Sequence, residues 1–159
     1  FTPLGVTMHM NASELVAEFV RRIDAVLSGG MADPYSLLND NIIVTIIGTT
    51  PLSGSYFGVE ELRQILVATA ALRIRSGRVR LLDSLGEGDK LGAFLEVKAE
   101  TRDGKIYNAA GDPSGCFFRI CDGRIAEIRF YPDTTQVETQ LYGRAFVPSA
   151  APHGEIGHS

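Results

Sequence analysis

The first third of the chain places hydrophobic residues at helical spacing. They form one apolar stripe, which predicts an amphipathic helix: Leu15, Val16, Phe19, Val20, Ile23, Val26 and Leu27. Asn11, followed three residues later by Glu14, is typical of a capping box at the start of this helix, and Gly29–Gly30 ends it. Asp33–Pro34 then opens a short second helical segment that runs to Leu38.

The next segment changes from helical spacing to a run of β-branched residues. Asn41–Ile47 contains this run and is predicted to be a strand. The stretch from Gly48 to Gly58 is rich in glycine and proline, so it is predicted to be a loop. A second amphipathic helix is predicted from Val59 to Ile74, with Leu62, Ile65, Leu66 and Leu72 on its apolar stripe.

The second half of the chain alternates apolar and polar residues and predicts four strands: Gly77–Leu85, Lys90–Thr101, Lys105–Ile120 and Arg124–Tyr131. Hairpin signals separate the last three of these strands. Gly111–Gly115 contains Pro113 and interrupts the third strand, where it predicts a bulge or a short loop. Asp133 then caps a short helix, Thr134–Leu141, with Gln136 in the capping-box position.

This order of elements is typical of the α+β class, in which helices pack on one face of a mostly antiparallel sheet. A long sheet with a glycine–proline interruption tends to curl, and helices that close it would enclose a concave apolar cavity. We expect one domain at residues 11–146, with an N-terminal tail at 1–10 and a flexible C-terminal tail at 147–159.

Composition and charge exclude several classes of protein. Of the 159 residues, 45% are hydrophobic and 21% are charged, which is close to the globular average and argues against a disordered chain. No apolar run is long enough to span a bilayer, and no secretory signal is visible. The net charge is −4, so neither nucleic acid nor an anionic membrane is an expected partner.

Cysteine and histidine positions give further expectations. Cys116 and Cys121 lie on opposite faces of one predicted strand, so we expect free thiols and a reducing, cytoplasmic location. The three histidines, His9, His153 and His158, all lie in the predicted tails. This placement argues against a zinc site and against a histidine-activated nucleophile in the domain. We expect no metal and no cofactor.

Three sequence stretches resemble the nuclear transport factor 2-like (NTF2-like) superfamily, in its SnoaL-like and ketosteroid isomerase-like branch. They are Pro51–Gly58 (PLSGSYFG), Glu87–Lys90 (EGDK) and Asp122–Thr134 (DGRIAEIRFYPDT), and the resemblance covers roughly residues 11–143. It implies a cone-shaped α+β barrel with a deep apolar pocket, usually dimeric through the outer face of the sheet. It also implies a cofactor-free isomerase, polyketide cyclase, dehydratase or epoxide hydrolase, or a non-catalytic binder of small molecules.

The acids and the tyrosine that this resemblance implies for catalysis are not found at the aligned positions. Ketosteroid isomerase uses an aspartate base, with a tyrosine and a protonated aspartate as an oxyanion hole. The base position aligns near Thr45, the protonated acid near Cys116 and the first-helix tyrosine at Phe19. The acid that related hydrolases and cyclases carry on the last strand aligns at Phe130.

The remaining polar residues on predicted inner faces supply other candidates. Asp112 is the candidate general base, because a carboxylate buried in an apolar cavity has a raised pKa. Tyr56 is the candidate oxyanion donor, with Tyr35 as an alternative, and Asp83 is a second candidate carboxylate. The predicted wall of the pocket comprises Phe19, Tyr35, Thr45, Cys116, Phe118, Ile128 and Phe130.

Each candidate also has a structural interpretation. Asp112 precedes a proline in a glycine-flanked turn, and an aspartate there is typical of a turn cap. Asp83 is also explained by an ion pair with an arginine. Cys116 is also explained as a small core residue. Three functions therefore remain open: an acid–base isomerase, cyclase or dehydratase acting on a small apolar molecule, polycyclic ones included; a non-catalytic small-molecule binding domain; and a dimeric interaction module. Arg129 and Tyr131 share an outward parity that favours dimer contacts.

Overall fold

The computed structural model of the protein describes residues 10–66, 68 and 72–144. The predicted tails, 1–10 and 147–159, lie outside this range except for residue 10, and so do all three histidines. Among the described helices, none combines the length and apolar character needed to cross a bilayer.

The first helix, α1, spans Ala12–Leu27 and begins at the predicted capping box. The Asn11 side chain accepts a hydrogen bond from the Glu14 backbone N–H at 2.8 Å, and the Glu14 carboxylate accepts one from the Asn11 N–H at 3.1 Å. A single turn of 3₁₀ helix follows at Tyr35–Leu37, where the Asp33 carboxylate accepts from the Tyr35 N–H at 2.9 Å. The sequence signals for both helix starts are therefore confirmed.

In the described part of the chain, seven strands form one mixed, open and curved sheet: β1 Leu38–Ile46, β2 Gly54–Phe57, β3 Ile74–Leu85, β4 Lys90–Thr101, β5 Ile106–Tyr107, β6 Pro113–Cys121 and β7 Arg124–Tyr131. Their order is β2-β1-β7-β6-β4-β3, and β5 pairs with β4 beyond the end of β6. Strands β1 and β7 run parallel, and every other pair is antiparallel. The predicted α+β class with a mostly antiparallel curved sheet is confirmed.

Helix α2 spans Val59–Leu66, and α3 spans Thr134–Gln136 before one turn of π-helix at Val137–Leu141. The predicted continuation of this helix is one residue too long: of the positions after Leu66 that the structure describes, 68, 72 and 73 are helical, whereas Ile74 begins β3 and pairs with β4. Leu72, assigned to the apolar stripe of that longer helix, is 73% exposed. The predicted loop before α2 is also wrong in part, since its last residues form β2 and pair with β1.

A bulge in β3 changes which residues face inward. The pairing with β4 shifts register between Leu81 and Asp83. Because a bulge adds one residue to one strand, it reverses the alternation beyond that point. Asp83 is therefore exposed, and its carboxylate accepts a hydrogen bond from the neighbouring Ser84 N–H at 2.8 Å. The expectation that Asp83 shares an inner face with Val79 and Leu81 is wrong for this reason.

The predicted interruption is present as a short loop, but it lies at residues 108–112, slightly earlier than expected, and it separates β5 from β6. Asn108 holds this connection. This residue is 2% exposed and has a φ of 59°. Its side-chain amide donates to the Val97 carbonyl at 2.8 Å and to the Asp112 carbonyl at 2.9 Å, while its carbonyl oxygen accepts from the Asp112 N–H at 2.9 Å. Pro113 begins β6, where a strand tolerates a residue without an N–H.

The C-terminal helix is tied to this same connection. Asp133 caps α3 as predicted, accepting from the Gln136 N–H at 3.1 Å. The Gln136 side chain has a different partner from that expected of a capping box: its amide donates to the Asp133 carboxylate at 2.8 Å, and its carbonyl oxygen accepts from the Asn108 N–H at 2.6 Å. Gln136 therefore links α3 to the turn after β5.

Candidate functional site

A cavity of about 270 Å³ lies between the helices and the concave face of the sheet. Side chains from α1, α2, six of the strands and the C-terminal turn line it. The alternation predicted for β4 supplies part of the wall, because Leu95, Val97 and Ala99 face the cavity. The exposed surface of the wall is almost entirely apolar, and no Asp, Glu, His, Lys or Arg belongs to it among residues 10–66, 68 and 72–144.

Aromatic rings form much of the wall. Phe19 on α1 meets Phe118 on β6 edge to face, with ring centroids 6.2 Å apart and an angle of 73° between the planes. Phe118 is 1% exposed and pairs with Ile128 across the β6–β7 ladder. Such edge-to-face pairs are favourable arrangements of aromatic quadrupoles, so this side of the cavity is a firmly packed surface.

The structure brings six of the seven predicted wall residues together at the cavity: Phe19, Tyr35, Cys116, Phe118, Ile128 and Phe130. Thr45 is the exception. Its neighbours Val44 and Ile46 line the cavity, so the alternation of β1 turns Thr45 to the other face of the sheet. There the Thr45 hydroxyl lies 3.1 Å from that of Ser55.

Asp112 lies outside the cavity, so the expectation that its carboxylate faces the pocket is not met. Its side chain is exposed, and it is not among the lining residues. Asp112 precedes the first residue of β6, so the strand's alternation through Ser114 and Cys116 does not extend back to it. Its backbone groups are held by the Asn108 side chain, which agrees with the turn interpretation.

Tyr56 packs beside the cavity but is not among the residues that line it. It pairs with Val44 across β1 and β2 and is half-buried. Its hydroxyl donates a hydrogen bond to the Leu52 carbonyl at 2.5 Å. Burial raises the pKa of Tyr56, so the phenol is neutral at physiological pH and already has an acceptor within the fold.

Tyr107 is a cavity residue that the sequence pattern does not predict. It is 3% exposed, and its hydroxyl accepts a hydrogen bond from the Asp133 N–H at 3.0 Å. Burial raises the pKa of this phenol also. The sequence feature that could have indicated Tyr107 is its place just before the glycine–proline interruption. A two-residue strand, however, has too little alternation to show which face of the sheet its side chains occupy.

Cys116 occupies the position that the family resemblance aligns with a protonated acid. It is 5% exposed, lines the cavity and pairs with Ala93 and Phe130 on the neighbouring strands. Burial raises its pKa to about 12. Both cysteines are free, with Cys116 buried and Cys121 exposed, as their spacing predicted.

These groups define what the site can do chemically. The thiol of Cys116 and the phenols of Tyr35 and Tyr107 are all uncharged near neutral pH, since burial raises each pKa. General acid–base catalysis needs a group that titrates near the working pH. The described cavity offers none, and it offers no set of three metal-ligating side chains either. The arrangement is suited to holding an apolar molecule.

Comparison with known proteins gives matches in structure alone. No family model matches the sequence, and no curated protein matches it. An NTF2-like protein from Burkholderia thailandensis has a TM-score of 0.68 at 16% identity, covering 82% of this chain and 97% of that one. A protein from Catenulispora acidiphila with a ketosteroid isomerase-like fold, crystallised with trimethylamine, has a TM-score of 0.63 at 15% identity, covering 82% and 98%.

A third similar structure is a putative SnoaL-like polyketide cyclase from Jannaschia sp., with a TM-score of 0.60 at 14% identity, covering 82% of this chain and 94% of that one. All three matches are similarities of fold at low sequence identity. The chain has the NTF2-like fold, with ketosteroid isomerase-like and SnoaL-like proteins among its structural neighbours.

Proposed function

We propose that the protein binds a small, largely apolar molecule in the cavity and performs no acid–base chemistry on it. The observation that carries this proposal is the wall itself, which is concave, apolar and free of charged side chains in the described part of the chain. A ligand in such a site gains free energy mainly from the removal of apolar surface from water.

The cavity volume bounds the ligand. About 270 Å³ is just below the range of roughly 300–1,000 Å³ found for pockets that hold drug-sized ligands. A small aromatic molecule or a medium-length alkyl chain suits this space better than a large polycycle. The neighbour crystallised with trimethylamine also agrees with small-ligand binding on this fold.

The alternative, an isomerase, cyclase or dehydratase, has less support from the geometry. Proton transfer at a bound substrate requires a base within hydrogen-bond reach of it. Asp112 is exposed, and the Tyr56 hydroxyl already donates its hydrogen bond to the Leu52 carbonyl. The structural neighbours support the fold and not a particular reaction.

The experiment that tests binding is titration with N-phenyl-1-naphthylamine, a neutral probe whose fluorescence increases in apolar surroundings. We expect saturable binding by the native protein and its loss in Ala99→Leu and, separately, in Val97→Phe, because both fill the cavity. Ala17→Leu adds the same carbons at an exposed position of α1 and is the matched control. Binding that survives both filling variants, with the fold intact by circular dichroism, would contradict the proposal.

We also propose that the protein is a homodimer through the outer face of the sheet. Phe94 and Tyr131 flank Gly115 in one row across β4, β6 and β7, and they are 44% and 47% exposed. In the adjacent row the Arg129 guanidinium lies 5.5 Å from the Phe117 ring centroid. An exposed aromatic patch with an arginine beside it has the composition of a protein interface.

The two free cysteines support a reducing compartment, and we propose a cytoplasmic location on that basis.

A further inference from the structure

The boundary of the cavity carries one feature that the proposed binding of an apolar molecule does not use. Arg63 on α2 places its guanidinium carbon 4.3 Å from the ring centroid of Tyr35. Tyr35 is part of the cavity wall, and the residue before Arg63, Leu62, lines the cavity too. The Arg63 side chain is 48% exposed. A cation thus stands where the apolar wall meets solvent.

Arg63 is weakly engaged within the protein. Its ion pair with Glu60 is long, at 3.6 Å, and the Glu60 side chain is 75% exposed. Exposed ion pairs of this kind contribute little to stability, so the Arg63 guanidinium remains available to bind another anion. Asp33, the other carboxylate near Tyr35, caps the 3₁₀ turn by accepting from the Tyr35 and Ser36 N–H groups at 2.9 and 3.3 Å.

Tyr35, whose ring lies against the Arg63 guanidinium, carries a second donor in its hydroxyl. Tyr35 is half-buried, and among the described residues its hydroxyl has no hydrogen-bond partner, in contrast to those of Tyr56 and Tyr107. A guanidinium and a neutral phenol on the edge of an uncharged cavity form a donor pair suited to a carboxylate.

We infer that the cavity selects amphiphilic monocarboxylates, with the apolar part inside and the carboxylate held by Arg63 and the Tyr35 hydroxyl. This inference rests on the proposed binding function and names its ligand class. The apolar tail supplies most of the affinity, and the rim sets the preference for an acid over an uncharged analogue of the same length.

Decanoate and 1-decanol, each competing with N-phenyl-1-naphthylamine, test this directly, because they share a carbon chain and differ in the head group. We expect Arg63→Gln to lower the affinity for decanoate about tenfold and to change the affinity for 1-decanol by no more than about twofold. Tyr35→Phe keeps the ring and removes the donor, so it weakens decanoate selectively as well. Arg73→Gln is the matched control, since Arg73 lies 4.1 Å from the ring of Tyr142, a residue outside the wall.

The outcomes separate the two proposals. If 1-decanol and the probe bind but decanoate is unaffected by Arg63→Gln, the carboxylate site is overturned and the apolar binding site stands. The assignment to Arg63 is also overturned if Arg63→Gln lowers the affinity for both ligands equally. The same holds if Arg73→Gln lowers the affinity for decanoate as much as Arg63→Gln does. If neither the probe nor 1-decanol binds the native protein, the binding function itself fails.

Discussion

The Asp24 carboxylate on α1 accepts two hydrogen bonds from the Arg78 guanidinium on β3, at 2.9 and 3.1 Å. It also accepts one from the Val79 N–H at 2.9 Å. Val79 is a wall residue, so this cluster fixes the helix against the strand beside the cavity.

We therefore predict that Asp24→Asn lowers the free energy of unfolding by about 1 kcal/mol at pH 7, because it removes the charge while keeping an acceptor for the Val79 N–H. The Arg78 hydrogen bond holds the pKa of Asp24 below its ordinary value of 3.8. The stabilisation is present above pH 3.8 and is lost as the pH falls through the lower folded-state pKa. Urea unfolding of both proteins at pH 7 and near pH 2 checks this. A difference that persists unchanged at the acid pH would contradict it.

Asn108 is predicted to be the most costly polar residue to truncate. Asn108→Ala removes three side-chain hydrogen bonds from a buried site and leaves an alanine at a φ of 59°. We expect a loss of roughly 2–4 kcal/mol in unfolding free energy, and a loss about 1 kcal/mol smaller for Asn108→Gly, because glycine adopts this conformation without strain. Asn41→Ala, at an exposed position, is the control. If Ala and Gly destabilise equally, the backbone conformation contributes nothing.

The two thiols are predicted to react at very different rates with iodoacetamide at pH 8. Cys121 is exposed, whereas Cys116 is buried with a pKa of about 12, so only about one in 10⁴ of its thiols is ionised. Mass spectrometry of Cys121→Ser should show slow labelling, which a cavity ligand slows further. Cys116→Ser should show a single fast phase that the ligand leaves unchanged. Fast labelling of Cys116 would mean that the wall opens readily.

Asp112→Asn is predicted to leave ligand affinity within about twofold and unfolding free energy within about 0.5 kcal/mol. The reason is that Asp112 is joined to Asn108 through its backbone groups and its side chain is exposed. Probe titration and urea unfolding measure both, with Ala99→Leu as a variant that does lose binding. A large loss of binding in Asp112→Asn would bring back the acid–base hypothesis.

The proposed dimer predicts that Phe94→Lys and Tyr131→Lys each give a monomer in analytical ultracentrifugation while retaining probe binding. Lysine places a charge at the centre of an apolar interface, where its desolvation is unfavourable. Leu72→Lys alters an exposed leucine that lies outside the sheet and should leave the dimer intact. A native protein that sediments as a monomer would contradict the proposal at once.

Much of the fold could be predicted because its signals are local. The bounds of β4 and β7, the capping box at Asn11 and the cap at Asp133 all coincide with the sequence expectations. Each depends on side-chain alternation or on a hydrogen bond between residues three apart. Such signals do not require knowledge of the rest of the chain.

The site was predictable in its wall but not in its polar groups. Alternation along two long strands predicts correctly that Cys116, Phe118, Ile128 and Phe130 face the cavity. The position of Thr45 depends on the alignment with the family, which tolerates an error of one residue, and a shift of one residue reverses the face of a strand. The bulge before Asp83 and the turn at Asp112 each interrupt an alternation. Neither is visible without the partner strand, because register is a property of two strands.

The position of β7 between β1 and β6 has a consequence for the order in which the molecule can form. Strand β7, the last in sequence among the described strands, is a central one, and it supplies the parallel partner of β1, which is made some eighty residues earlier. A nascent chain that ends before Arg124 leaves one edge of β1 unpaired and lacks the fully buried Ile125. The sheet therefore cannot be completed until residues 124–131 have been made, and until then the unpaired edge of β1 is a site at which aggregation can begin.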